Sequence, residues 1–221
     1  MSFTFFTDRL GGFSQGDFSS LNLALHVGDD PALVLQNRKI TSDQYGPTMY
    51  MNQVHGNAVE VITNTDQVSP TCDALVTTTP GITLAVLTAD CIPLLLTSEN
   101  VVAAVHVGRR GLVNGVATKT VQTMRELGAG TITGKLGASI CGTCYEVDQN
   151  TFDEVTAAFP SARSETAQGT PALDLERALV AVLNDLSIEC EIDSRCTNED
   201  SKLFSYRKSQ RTGRQAGLIR L

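Results

Sequence analysis

The sequence predicts an α/β domain, α+β in detail, with mixed β-sheets flanked by helices, and three observations carry that expectation. Residues 83–88, 92–97 and 101–107 form near-continuous, β-branched apolar runs, the pattern of strands buried on both faces. Immediately after them Val113, Val116, Ala117, Thr120, Met124 and Leu127 recur at helical spacing, and Gly128 stands where a helix stops. Elsewhere strand-like and helix-like segments alternate irregularly, which favours mixed over purely parallel sheets. The chain shows no internal repeat, low-complexity tract or dividing linker, so residues 1–221 read as one domain.

In chain order, residues 3–7 read as an opening strand, and the Arg9, Leu10, Gly11, Gly12 stretch as a turn. Residues 17–30 mix polar and apolar positions without a clean period, the mark of an ordered loop with short strand character. Asp30 before Pro31 fits an N-cap with proline at the first helical position, opening a helix to about Gln44. Residues 49–53 and 59–63 are predicted strands, and 72–77 lead through the Pro80, Gly81 turn into the central runs. Beyond the central helix, 131–140 is a predicted strand and 141–145 a loop. Residues 150–159 and 174–186 are predicted amphipathic helices, the second capped by Asp174. Residues 188–192 and 215–221 supply the last predicted strands.

Composition narrows the function. The formal net charge is -7 and the pI near 4.9, which argues against non-specific binding to nucleic acid or an acidic membrane. The sign is uneven, because Lys202, Arg207, Lys208, Arg211, Arg214 and Arg220 follow the last acid, Asp200. Such a tail is either a solvated edge or a source of cations for an anionic ligand. No apolar run approaches the ~18 residues of a membrane span, and the N-terminal residues lack a basic, then apolar, leader pattern. The expectation is a cytoplasmic protein whose six cysteines stay reduced, with a monomer as the working oligomeric state.

Candidate chemistry gathers at predicted strand ends. His55, Cys91 and His106 each sit there, and two imidazoles with a thiolate suit zinc with a position left open. Their separations in sequence are far longer than those of usual metal motifs, and a lone histidine or cysteine is more often structural. Asp73 and Asp90 are acids in apolar surroundings, where a raised pKa serves proton transfer; the plainer reading is that each caps a turn. Arg109 and Arg110, between glycines before a helix, are set to hold a phosphate or to lie in an exposed loop. Cys141 and Cys144 form a single CxxC without a thioredoxin-like setting or a second CxxC, for which a structural role is expected.

The segments DRLGGFSQGDFSSLNLALHVGDDPALVLQNR (8–38), NQVHG (52–56), CDALVT (72–77), LTADCIPLLL (87–96), AAVHVGRRGLVNGV (103–116), LGASICGTCYEV (136–147) and FSYRKSQRTGRQAGLI (204–219) occur in one order across nearly the whole chain. Together they resemble the laccase-domain, or multicopper polyphenol oxidase, family, which has been reassigned as purine nucleoside phosphorylases with adenosine deaminase activity. The resemblance implies a fold shared distantly with bacterial cysteine-dependent deamidases. It implies a zinc-type site, with copper as the alternative ion, on His55, Cys91 and His106, which are thereby catalytic candidates; the acid that deamination needs to shuttle a proton is Asp73 or Asp90. It also implies a purine nucleoside and phosphate as small-molecule partners, with Arg38, Arg110, Arg207, Asn22 and Gln53 as binding candidates. Two departures stand out. Arg109 occupies a position where the family usually has Trp, and at 141–144 only Cys144 aligns with a family cysteine.

The expected activity is phosphorolysis of adenosine, inosine or methylthioadenosine, together with adenosine deamination. A copper-dependent phenol oxidase is the first rival, but three histidines in the chain are too few for several coppers. A metal-free hydrolase with Cys91 as nucleophile and His55 or His106 as base is the second. A nucleotide-binding regulator without turnover is the third.

Overall fold

The computed structural model describes residues 2–221. Its elements are β1 (Phe3–Phe6), α1 (Pro31–Tyr45), β2 (Thr48–Met49), β3 (Val59–Val61), β4 (Ala74–Thr77), β5 (Thr83–Thr88), β6 (Ile92–Thr97), β7 (Val102–Val107), α2 (Arg109–Val113) and α3 (Val116–Glu126). They continue with β8 (Thr133–Leu136), α4 (Gln149–Ala158), β9 (Arg163–Glu165), β10 (Pro171–Leu173), α5 (Leu175–Asp185), β11 (Glu189–Ile192), α6 (Tyr206–Ser209) and β12 (Gln215–Arg220).

Two mixed sheets form the body. One has the order β1-β12-β5-β2, the other β11-β8-β6-β7-β4-β3. The apolar runs are continuous because both faces of these strands are covered, and alternation sorts their side chains between layers. Leu84 and Val86 of β5 meet Leu75, Leu95, Val102 and Ala104 of the second sheet. From the same strands Val76, Leu94, Leu96, Ala103 and Val105 turn the other way, onto Val121 and Met124 of α3 and Leu179 and Leu183 of α5. On the outer face of the first sheet, Ala85, Leu87, Ala216 and Leu218 pack under Leu23, Tyr45 and Tyr50. Each leucine buried in this way contributes about 1.5–3 kcal/mol.

The caps follow the sequence chemistry. Asp30 accepts from the Ala32 N–H at 2.8 Å with Pro31 at the first helical position, and Asp174 accepts from the Arg177 N–H at 2.8 Å. The expected central helix is divided: Gly115, at φ +73, separates α2 from α3. A left-handed residue without a Cβ costs little there, and it lets the chain turn between α2 and α3.

Other expectations are corrected. The strand expected at 49–53 is two residues long, followed by a single bridge from Asn52 to Thr71. Residues 17–30 hold a 3-10 turn at Gly16–Phe18 and form no strand. The strand expected over 131–140 ends at Leu136, after which Ser139 bridges to Cys196. The β9–β10 hairpin and α6 were not anticipated, being too short to carry a periodic signal.

One connection positions the site. Residues 89–91 join β5, in the first sheet, to β6, in the second. Asp90 lies at φ +95 in this crossing, a conformation that costs a non-glycine residue about 1–3 kcal/mol. The crossing opens at the same edge where β7 ends and where Asp73 precedes β4.

Candidate active site

The three residues scattered along the sequence converge at this edge. His55, Cys91 and His106 each offer one ligand atom, and the three atoms lie within 4.8 Å of one another. The two imidazoles stand edge to face, with ring centroids 4.7 Å apart and planes at 76°. His106 is buried, Cys91 partly exposed and His55 exposed, so the cluster is rooted in the core and opens outward. Gly108 makes the approach feasible: a Cβ there would stand 2.9 Å from Cys91 Sγ and 3.2 Å from His55 Cδ2.

Asp73 holds the cluster from beneath. Its carboxylate accepts the backbone N–H groups of Val54 at 3.3 Å, His55 at 2.9 Å and Gly56 at 2.7 Å, and pairs with His106 Nδ1 at 2.8 Å. These bonds stabilise the loop that presents His55, which sits at φ +58. They also leave His106 Nε2 as the nitrogen available to the cluster. Burial pushes the Asp73 carboxyl up, but the His106 and backbone hydrogen bonds outweigh it and hold the pKa below its usual value.

The electrostatics of the cluster follow from this arrangement. Burial raises the Cys91 thiol, while the charge of His106 and hydrogen bonds from His106 and His55 lower it further, to about 6. Burial lowers His106, and the Cys91 thiolate with Asp73 reverses that, to about 9. Without metal the pair is therefore a thiolate and an imidazolium at neutral pH. Two imidazoles and one thiolate are also a donor set for zinc or copper. Bonds of about 2.0–2.3 Å from a shared ion demand this kind of close donor grouping. The residues present thus fit the metal expected from the resemblance.

The cluster lies against a cavity of about 680 Å³, a size ordinary for small-molecule sites. Gln53, Asp90 and Arg207 of the expected residues line it alongside the cluster. Gln53 is tied at both ends of its amide to the Leu87 backbone, donating at 2.7 Å and accepting at 2.9 Å. Asp90 accepts from the Thr197 hydroxyl at 2.6 Å and the Arg207 N–H at 2.6 Å. Arg207 stacks over Tyr145, its guanidinium carbon 5.2 Å from the ring centroid.

Four expected residues stand outside the lining. Asp73 lies beneath the cluster. Asn22 is buried and accepts the Arg214 N–H at 3.0 Å. Arg38 donates to the Leu23 carbonyl at 2.9 Å and stacks 3.8 Å over Tyr50. Arg110 is exposed on α2, whose single short turn lacks the aligned peptide dipoles expected to hold phosphate.

Sequence reasoning did not single out His26, Thr88, Tyr145, Tyr206, Gln210 and Arg214 for the site, yet all six line the cavity. Thr88 Oγ1 is buried and makes no hydrogen bond among the described residues. Arg214 donates to the Thr212 and Gly213 carbonyls at 3.0 and 2.9 Å. Burial lowers its pKa, opposed by Cys91 and Asp90. Burial, then Arg214 and Arg38, lower the pKa of His26, favouring the neutral ring. The basic tail was the available signal: Arg207 and Arg214 turn into the cavity, whereas Arg220 is bonded to the Tyr45 carbonyl.

Fold and site together define a mixed α/β protein with a cysteine–histidine cluster at the floor of a small-molecule cavity. Residues 3–221 match the family described as multi-copper polyphenol oxidoreductase laccase, and the chain belongs to that family. A relative from Corynebacterium glutamicum named purine nucleoside phosphorylase is 44% identical over 226 residues, spanning 97% of this chain and 92% of its own. One so named from Streptomyces coelicolor is 44% identical over 225 residues, spanning 97% and 93%. A Neisseria meningitidis protein of solved structure superposes with a TM-score of 0.90 at 36% identity, covering 100% of this chain and 94% of its own. YlmD from Geobacillus stearothermophilus superposes at 0.86 with 31% identity, covering 99% and 91%.

Proposed function

We propose that this protein is a purine nucleoside phosphorylase that also deaminates adenosine, with both reactions carried out in the cavity above His55, Cys91 and His106. The observation that carries the reading is the pairing of this cluster with Arg207 and Arg214 around one cavity, in a chain whose relatives bear the phosphorylase name. Phosphorolysis converts adenosine and phosphate to adenine and ribose 1-phosphate. Deamination converts adenosine and water to inosine and ammonia.

The chain's own residues divide the work. Arg207 and Arg214 bind the phosphate dianion, and their stacking on Tyr145 and Tyr206 limits the rotamer freedom lost on binding. Thr88 contributes an unpaired buried hydroxyl to the ligand. The neutral imidazole of His26 faces the ligand without adding charge. Asp90 is the acid in the lining and the group for proton transfer; Asp73 orients His106 and does not reach the ligand. His55, Cys91 and His106 hold the metal, which when bound supplies Lewis acidity and a water of lowered pKa. Zinc is the proposed ion.

The test is incubation of pure protein with adenosine, with and without phosphate, and chromatography of the products. Adenine that forms only with phosphate, and inosine that forms without it, support the reading; neither product with a metal-loaded protein overturns it. The low pKa of Cys91 favours one second reading, a metal-free hydrolase in which Cys91 is the nucleophile. That reading predicts full activity after metal removal and inactivation by alkylation.

A further inference from the structure

We infer that Cys141, Cys144, Cys196 and Glu199 form a second metal site, a structural zinc centre separate from the cavity. Their three sulfurs and one carboxylate oxygen lie within 4.8 Å of one another. A tetrahedral zinc with Zn–S bonds of about 2.3 Å spaces its sulfurs about 3.8 Å apart, within reach of that grouping.

The local backbone is arranged as two facing turns, each carrying a ligand pair three residues apart. In the first, the Cys144 N–H donates to the Cys141 carbonyl at 3.0 Å. In the second, the Glu199 N–H donates to the Cys196 carbonyl at 3.1 Å. The CxxC that lacked a second CxxC in sequence thus meets a Cys-x-x-Glu across the fold. The turns are registered by the bridge from Ser139 to Cys196 and by the Thr197 N–H donating to the Ser139 carbonyl at 3.0 Å. The Cys141 N–H points at Cys196 Sγ at 3.3 Å, the hydrogen bond by which metal-bound thiolates are commonly supported. Cys144 Sγ already approaches Glu199 Oε1 at 3.5 Å. All six cysteines are free thiols, so the three sulfurs are not gathered by a disulfide.

None of the four side chains lines the cavity, yet the first turn runs directly into its wall and the second touches that wall through Asp90. Tyr145 follows Cys144, and Thr197, whose hydroxyl holds Asp90, follows Cys196. Zinc here ties together two loops that share no regular strand pairing and keeps Tyr145 and Asp90 in place. Three thiolates and a carboxylate close the coordination shell, as structural zinc sites require.

The test measures metal directly and is independent of what the cavity turns over. Full-length Cys91→Ser protein, in which the first cluster is impaired, is isolated from zinc-supplemented cells and analysed by elemental emission and native mass spectrometry. We expect about one zinc per chain, and loss of that zinc on adding Cys144→Ser. Cobalt loaded into Cys91→Ser protein should give the near-ultraviolet thiolate-to-cobalt band and strong visible bands of a tetrahedral centre. Cys91→Ser protein without zinc and without a thiolate–cobalt band would overturn the inference. So would intact-mass analysis of alkylated protein showing a disulfide among the three cysteines. Should the Cys144→Ser chain fail to fold, the Cys91→Ser measurements decide by themselves.

Discussion

Asp73 Oδ1 and His106 Nδ1 lie 2.8 Å apart in a part of the core where both side chains are almost fully buried. The same carboxylate collects three backbone N–H groups from the loop that carries His55. One acid therefore fixes two of the three proposed ligands, one through its ring and one through its backbone. Asp73→Asn turns an N–H toward donors that need an acceptor. We expect zinc affinity to fall by about 10–100-fold, the usual cost of losing a carboxylate behind a ligating histidine. Competition with a chromophoric chelator checks this. Unchanged affinity would mean that the pairing only supports the fold.

Cys91→Ser replaces the soft donor of the cluster with a hydroxyl that ionises far less readily. The expected outcome is loss of the metal in the cavity and of adenosine turnover, with the circular dichroism spectrum retained. Metal analysis and product chromatography on the same preparation read both. Full turnover by metal-depleted Cys91→Ser protein would exclude both the metal role and the nucleophile role.

The metal-stripped protein should show the charge pairing of Cys91 with His106 directly. Because the Cys91 pKa is depressed to about 6, its iodoacetamide reactivity should reach half-maximum near that pH, far below the ordinary thiol range. The sign for stability follows from both partners. The lowered thiol loses its contribution as pH falls through about 6, and the raised imidazole loses its contribution as pH rises through about 9. Their mutual attraction thus spans the window between, and thermal melts of the stripped protein should decline on either side. A monotonic profile through that window would contradict the ion pair.

Gly108→Ala places a methyl group 2.9 Å from Cys91 Sγ. The backbone conformation at Gly108 suits any residue, so the effect is purely steric. We expect a destabilisation of about 1–3 kcal/mol and a clear fall in metal content. Chemical denaturation and elemental analysis measure the two. A variant that keeps its metal would show that the strand end can move aside.

Arg207→Ala and Arg110→Ala separate two readings of the phosphate site. A lost charge-assisted contact costs about 2 kcal/mol, so Arg207→Ala should raise the phosphate concentration needed for adenine release by tens of fold. Arg110 lies outside the cavity, and its variant should stay close to the parent. Deamination, which uses water, should fall less than phosphorolysis in Arg207→Ala. The reverse ranking of the two arginines would return the phosphate to α2.

Much of this arrangement was legible in the residues themselves. The runs of β5, β6 and β7, the caps at Asp30 and Asp174, and the placement of Cys91 and His106 at strand ends follow from local pattern, whereas His55 lies in a loop beyond the shortened β2. What local pattern lacks is the partner brought in from far along the chain. Asp73 reads as an acid in an apolar setting, and only the fold shows its carboxylate saturated by His106 and the His55 loop. The arginines of the tail carry a charge signal but no address, so Arg214 and Arg207 could be told from Arg220 only after folding. The CxxC fell short of a ligand set for the same reason, since Cys196 and Glu199 reach it across a loop.

The position of β12 between β1 and β5 also sets an order of events during synthesis. Among the described residues β1 pairs with β12 alone, so it has no neighbour in its sheet until β12 emerges. Until then β1 and one edge of β5 present unpaired backbone groups, a surface on which other chains can add. Such long-range pairing slows folding, and the exposed interval lengthens with it. Nascent chains stalled before residue 215 should therefore depend on chaperones far more than the finished protein does, and Arg207 should meet Cys91 across the cavity only after β12 has closed the sheet.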